Sequence, residues 1–208
     1  PYPLAVLAIG STADPLRVAV VGANDGRTND PIYATLTGPL RQHSEVLLVK
    51  PQKSLVPHLA ENYAAHPRHR IANAAVGSGE ALTLHAVRSE YFDRIRPAYA
   101  RDWPVWRAPT GVTSADRQNV IDWLRSVERD SFDPETAVEE LRVETAPLPR
   151  LLHQAGMEER VDVLQIDTEG FDDMIVYNSA IEQTQPRIIF FESKLLPDDR
   201  KTALFDHL

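Results

Sequence analysis

The chain has 208 residues, 43% of them apolar and 25% charged, which suits one globular α/β domain with its own core. A formal net charge of −8 argues against nucleic acid as a partner, since phosphate neutralisation needs excess cation. The absence of cysteine excludes disulfides, Cys-ligated zinc and Cys nucleophiles, and it fits a reducing compartment, so a cytoplasmic location is expected.

Pro1 to Gly10 is apolar but lacks the basic start of a signal peptide, and no apolar run reaches membrane-spanning length. No membrane partner is therefore expected. A beginning at Pro rather than Met suggests a trimmed chain or a disordered start. Arg17–Val21 is a β-branched run that predicts the first strand. Asp30 and Pro31 read as the N-cap and first position of a helix that carries Ile32, Leu36 and Leu40. Glu45–Val49 predicts the second strand, and Leu55, Leu59 and Tyr63 mark a second helix. Arg70–Val76 predicts the third strand and Ala81–Val87 a half-exposed one.

Residues 88–110 interleave Arg88, Arg94, Arg96, Arg101 and Arg107 with Tyr91, Phe92, Tyr99, Trp103 and Trp106. Such mixtures can stack on bases. The acidic whole and the diluting Glu90, Asp93 and Asp102 favour an insertion or lid with snorkelling Arg stems. Asp116–Arg129 carries Val120, Ile121, Leu124 and Val127 on one helical face, and Leu141–Thr145 is a weaker strand. Leu148, Leu151, Leu152 and Ala155 mark a helix stopped by Gly156. Val161–Ile166 and Arg187–Glu192 are continuous apolar runs, as central parallel strands require, and a helix over Phe171–Tyr177 lies between them. The alternation predicts one α/β domain over 1–208, a mostly parallel sheet with helices on both faces.

Two segments carry chemistry. After the first strand, Gly22-Ala23-Asn24-Asp25-Gly26 forms a strand-to-helix turn at the usual crevice of an open α/β sheet. It is neither a dinucleotide fingerprint nor a phosphate loop, and it suits a cofactor without phosphates, such as S-adenosylmethionine. An ordinary turn is an equal alternative. After the strand at 161–166, Asp167 and Glu169 stand at the carboxyl edge of the sheet, followed by Gly170. These acids can hold a hydroxyl, take its proton, or bind a divalent cation. Asp172 and Asp173 read as first-turn helix acids. No histidine pair has metal-ligand spacing, so a cation is possible without being indicated.

Taken together, V-V-G-A-N-D-G at 20–26, N-A-A-V-G at 73–77, T-S-A-D at 113–116, L-Q-I-D-T-E-G-F-D at 164–172 and P-R-I-I-F-F-E at 186–192 resemble the FkbM-like methyltransferase family in order and spacing. The resemblance implies a Rossmann-like class I methyltransferase fold and S-adenosylmethionine as cofactor. It also implies O-methylation of a hydroxyl on a small natural product or sugar. It would set Gly22, Asn24 and Gly26, with Asp25 in the same turn, along the methionine side of the cofactor. Asn73 and Ala74 would lie by the adenine, Asp167 and Glu169 near the methyl group and acceptor, and Thr113 and Ser114 in the substrate site.

Two departures stand out. The family's second strand typically ends in Glu-Pro, the Glu accepting from both ribose hydroxyls, whereas here it ends Val49-Lys50-Pro51. An ammonium only donates, so Lys50 in the cofactor set cannot make that contact. The antiparallel strand pair that usually ends such folds is also expected beyond Leu208. Lys50 leaves a second reading open, a methyltransferase-like binding module without turnover. A third is a divalent-metal enzyme built on Asp167, Glu169 and Asp172.

Overall fold

The computed structural model describes residues 1–208. Nine strands and nine α-helices follow the chain. The strands are β1 (Leu16–Val21), β2 (Ser44–Val49), β3 (His69–Ala72), β4 (Ala75–Val76), β5 (Leu82–Val87), β6 (Val138–Val143), β7 (Thr145–Ala146), β8 (Val163–Ile166) and β9 (Ile188–Phe191). The helices are α1 (Tyr2–Gly10), α2 (Tyr33–Thr37), α3 (Val56–Asn62), α4 (Arg107–Gly111), α5 (Arg117–Ser126), α6 (Leu148–Gln154), α7 (Asp172–Tyr177), α8 (Ile181–Thr184) and α9 (Asp198–His207). None of these helices is long and apolar enough to cross a membrane.

The central sheet is five parallel strands in the order β3-β2-β1-β8-β9. Strand alternation divides its residues between two cores. Val18, Val20, Val46, Leu48 and Val163 face α1, α2 and α3. Ala19, Val21, Leu47, Val49, Leu164 and Ile166 face α6, α7 and α9. Both faces of β1, β2 and β8 are buried, so these strands read as mainly apolar runs. The chain builds outward from β1 through β2 to β3, then returns to lay β8 on the other side of β1. That reversal opens a crevice at the carboxyl ends of β1 and β8.

The structure corrects several expectations. The start is not disordered: α1 buries Val6, and Tyr2 stacks on Phe190 with ring centroids 4.0 Å apart. The strand expected over 70–76 is two. β3 ends at Ala72, Asn73 turns the chain, and β4 pairs with β7 outside the main sheet. The Asn73 amide holds that turn by donating to the carbonyls of Lys50 (3.0 Å) and Pro51 (2.9 Å). The first predicted helix starts at Tyr33, although Asp30 still accepts from the amides of Ile32 (2.9 Å) and Tyr33 (2.7 Å). The helix expected over 116–129 ends at Ser126, with Asp116 capping it through the Gln118 amide.

β5 and β6 form a separate antiparallel ladder that packs with α5 and with Ile95 and Val112 into a third core. Residues 88–111 run across it. Their aromatic and basic side chains pair among themselves or with neighbours: Arg107 lies over Trp103, Arg94 over Tyr91, and Trp106 stacks on His58.

Candidate active site

The crevice is built by two turns in contact. Gly22 adopts φ +83°, and any Cβ there would overlap the Asp167 carbonyl oxygen. The glycine is thus required for β1 and β8 to run together into their turns, where the Asp167 amide donates to the Val21 carbonyl at 3.0 Å. Gly26, at φ +70°, makes room for Leu59 and Tyr63 beneath the turn. Between them Asn24 sits at φ +48° and is only 4% exposed. Its Oδ1 accepts from the Thr110 hydroxyl at 3.4 Å, and its Nδ2 has no partner. Asp25 points elsewhere. Its Oδ1 accepts from the amides of Arg27 and Thr28 and from Arg107 Nε (3.1 Å), and its Oδ2 from the Thr28 hydroxyl (2.6 Å).

The acidic turn divides into two working parts. Asp172 accepts from the Thr168 amide and hydroxyl and from the Glu192 amide, and Asp173 is paired with Arg200. The expectation that these are merely first-turn helix acids is too weak, because both are buried and tie the turn to β9 and α9. Asp167 and Glu169, by contrast, make no side-chain hydrogen bond within the chain. Glu169 is held at φ +54°, and its carbonyl accepts from the Ser114 hydroxyl at 2.9 Å.

Burial sets the protonation balance. It raises Asp167 above the usual carboxylate range, with Lys50 and Arg107 opposing. It pushes Glu169 up to about 7, helped by the charges of Asp167 and Glu192. Lys50 is 6% exposed and pairs with nothing. Burial and nearby Arg107 bring its ammonium down to about 8, against the pull of Asp167 and Glu169. Two cations therefore face two reluctant acids.

Two cavities open from this centre and share Val21, Gly22, Gly111 and Asp167. The first is polar, with Asn24, Asp30, Gln165, Glu169 and Arg107 in its wall and Tyr99 and Trp103 at its rim. The second is largely apolar, lined by Val76, Leu84, Phe171 and Ile175, with Lys50 also in its wall. Thr113 and Ser114 line this second cavity. Asn73 and Ala74 line neither. No group of three or more His, Asp or Glu side chains is gathered at metal-binding distance.

Sequence reasoning missed Arg107, Asp30 and Gln165 as parts of this site. Gln165 donates to Asp30 Oδ2 at 2.9 Å and leaves its own Oε1 unpartnered against the first cavity. Gln165 interrupts an otherwise apolar strand, a signal that was available.

A sequence profile described as the methyltransferase FkbM domain matches residues 21–208, from the end of β1 through both turns to α9. Searches among curated proteins and among solved structures returned no match. With the profile spanning the whole crevice, the chain is a methyltransferase and belongs to the FkbM family.

Proposed function

We propose that the protein uses S-adenosylmethionine to methylate a hydroxyl oxygen on a small natural product or sugar. The observation that carries this reading is the position of Asp167 and Glu169. They are two carboxylates that make no hydrogen bond within the chain: Asp167 stands where an apolar and a polar cavity meet, and Glu169 lines the polar one. The apolar cavity suits an adenosine, and the polar one suits an acceptor rich in hydroxyls.

The residues fit the cofactor in part. The turn at 22–26 offers no phosphate-cradling glycine run, and Asn24 holds a buried amide nitrogen in need of an acceptor. Lys50 fits less well. It can donate to ribose oxygens but cannot accept from both hydroxyls. Thr113 and Ser114, on this reading, serve the nucleoside side rather than the acceptor.

The bound cofactor would supply an electrophilic methyl group. The chain's own part is orientation and proton handling. Glu169, poised near neutrality, can take the acceptor's proton, and Asp167 can hold the hydroxyl in line.

Isothermal titration with S-adenosylmethionine and S-adenosylhomocysteine tests this for the wild type and for Lys50→Glu. The variant is expected to bind about ten- to a hundredfold more tightly. Asp167→Asn and Glu169→Gln are expected to lower turnover in folded protein, and full activity in both would remove them from the mechanism. Lys50 favours a second reading, a binding module without turnover. Failure of both proteins to bind the cofactor would favour that one.

A further inference from the structure

Arg107 is bound on one side and open on the other. Its Nε donates to Asp25 at 3.1 Å and one Nη to the Thr28 carbonyl at 2.6 Å. These contacts fix the guanidinium plane, with the side chain only 13% exposed. Its other nitrogen, Nη1, has no partner. It points to the backbone of Gly111, where a Cβ would lie 3.1 Å from it and 3.6 Å from Asn24 Nδ2. Two unpartnered donors from distant parts of the chain, both in the wall of the polar cavity, thus converge beside Gly111, which lines both cavities. Any side chain on Gly111 would fill the gap between them.

A fixed guanidinium edge beside an amide N–H is the geometry that receives a carboxylate. Asp167 and Glu169 line the same cavity, but Lys50 faces them and offsets their charge. Neither acid forms an ion pair with Arg107, so its open edge is left for a ligand.

We infer that Arg107 and Asn24 form a carboxylate-binding cradle at the junction of the two cavities. The inference rests on the proposed cofactor only for the source of the carboxylate. That source is either the amino-acid end of the cofactor or an acid group on the acceptor.

Titrations of the wild type, Arg107→Gln and Asn24→Asp separate the possibilities. Asn24→Asp is nearly isosteric, tolerates the positive φ, and leaves the Arg107–Asp25 pair in place. Thermal melts confirm that each variant is folded. The probes are S-adenosylhomocysteine and its decarboxylated analogue, which keeps the amine, together with 4-hydroxybenzoate added with and without nucleoside. If the cofactor supplies the carboxylate, both variants lose about ten- to a hundredfold in affinity for S-adenosylhomocysteine and little for the analogue. If the acceptor supplies it, the two nucleosides respond alike in each variant and 4-hydroxybenzoate binding is lost in both. Equal weakening of the two nucleosides, with 4-hydroxybenzoate unaffected, would mean that Arg107 only holds the covering segment, and would overturn the cradle. So would no change in any probe. A wild type that binds neither nucleoside refutes the cofactor reading alone, and the 4-hydroxybenzoate arm then decides the cradle.

Discussion

At the scale of single residues, the site is a set of groups held away from their ordinary charge states. Glu169 normally titrates at 4.5 and is pushed up to about 7, chiefly by burial. Between those values the folded chain keeps a proton that the unfolded chain has released. The stability this group contributes is therefore complete below pH 4.5 and lost as pH rises through 7. Above pH 7 the ionised side chain is a net cost, on the order of 1–3 kcal/mol after allowing for its partial exposure. Glu169→Gln should accordingly be more stable than the wild type in urea unfolding at pH 8, with the advantage vanishing by pH 4.5. Turnover should move the other way. If Glu169 takes the acceptor's proton, wild-type kcat rises across a limb near pH 7, and the Gln variant lacks that limb. A variant that is destabilised at pH 8 would show that the carboxylate is held by favourable contacts, against the burial argument.

At the scale of elements, the acidic turn between β8 and α7 is braced by the piece of chain that follows it. Asp173 is 3% exposed, and its charge is met by Arg200 on α9, which also donates to the Gly170 carbonyl. Removing the cation leaves a buried charge alone, which is costlier than never having the pair. Arg200→Ala should lose about 1–3 kcal/mol in denaturant unfolding, discounted because Arg200 is itself partly exposed. Adding Asp173→Asn should recover part of the loss, and a double variant no better than the single one would refute the ion-pair account. How far such features can be read from sequence depends on the range of the interaction. β1, β2 and β8 were legible because strands buried on both faces read as apolar runs, broken in β8 only by Gln165, and β9 because it is apolar throughout even though its residues are partly exposed. The glycine turn and the acidic turn were legible because each is a local pattern on one strand end. The break at Asn73 was not, since Ala75 and Val76 continue the apolar run while pairing with residues 145–146. Arg107 was visible only as one of several arginines, because the Asp25 that fixes it lies 82 positions away. Asp30 and Gln165 are separated by 135 positions, and nothing local announces their bond.

At the scale of the whole molecule, two sheet-facing cores and a third core under β5, β6 and α5 meet across the crevice. The segment 97–107 spans that seam, held at separate points: Tyr99 accepts from Trp123 Nε1 and Trp106 stacks on His58. Arg107 ties its end to Asp25 and Thr28, while Tyr99, Arg101 and Val105 along it are exposed. The polar cavity that Tyr99, Trp103 and Arg107 help to line measures about 130 Å³, short of the roughly 300 Å³ at which pockets begin to hold a drug-sized ligand. A cofactor whose amino-acid end reaches Arg107 enters this polar cavity, so its binding is expected to make this segment lift and resettle, local opening being cheaper than opening a core element. Trypsin reports that motion. Arg101 is exposed and followed by Asp102, whereas Arg96 precedes Pro97 and resists cleavage. Cutting after Arg101 should be rapid in the free protein, faster still in Arg107→Gln, and slowed several-fold by saturating S-adenosylhomocysteine in the wild type. If the ligand binds without slowing the cut, the segment does not close over it, and the added volume must come from the other wall, along β4 and β5. If Arg107→Gln is cut no faster than the wild type, the ion pair to Asp25 is not what holds the segment down. The aromatic contacts of Tyr99 and Trp103 would then be its anchors.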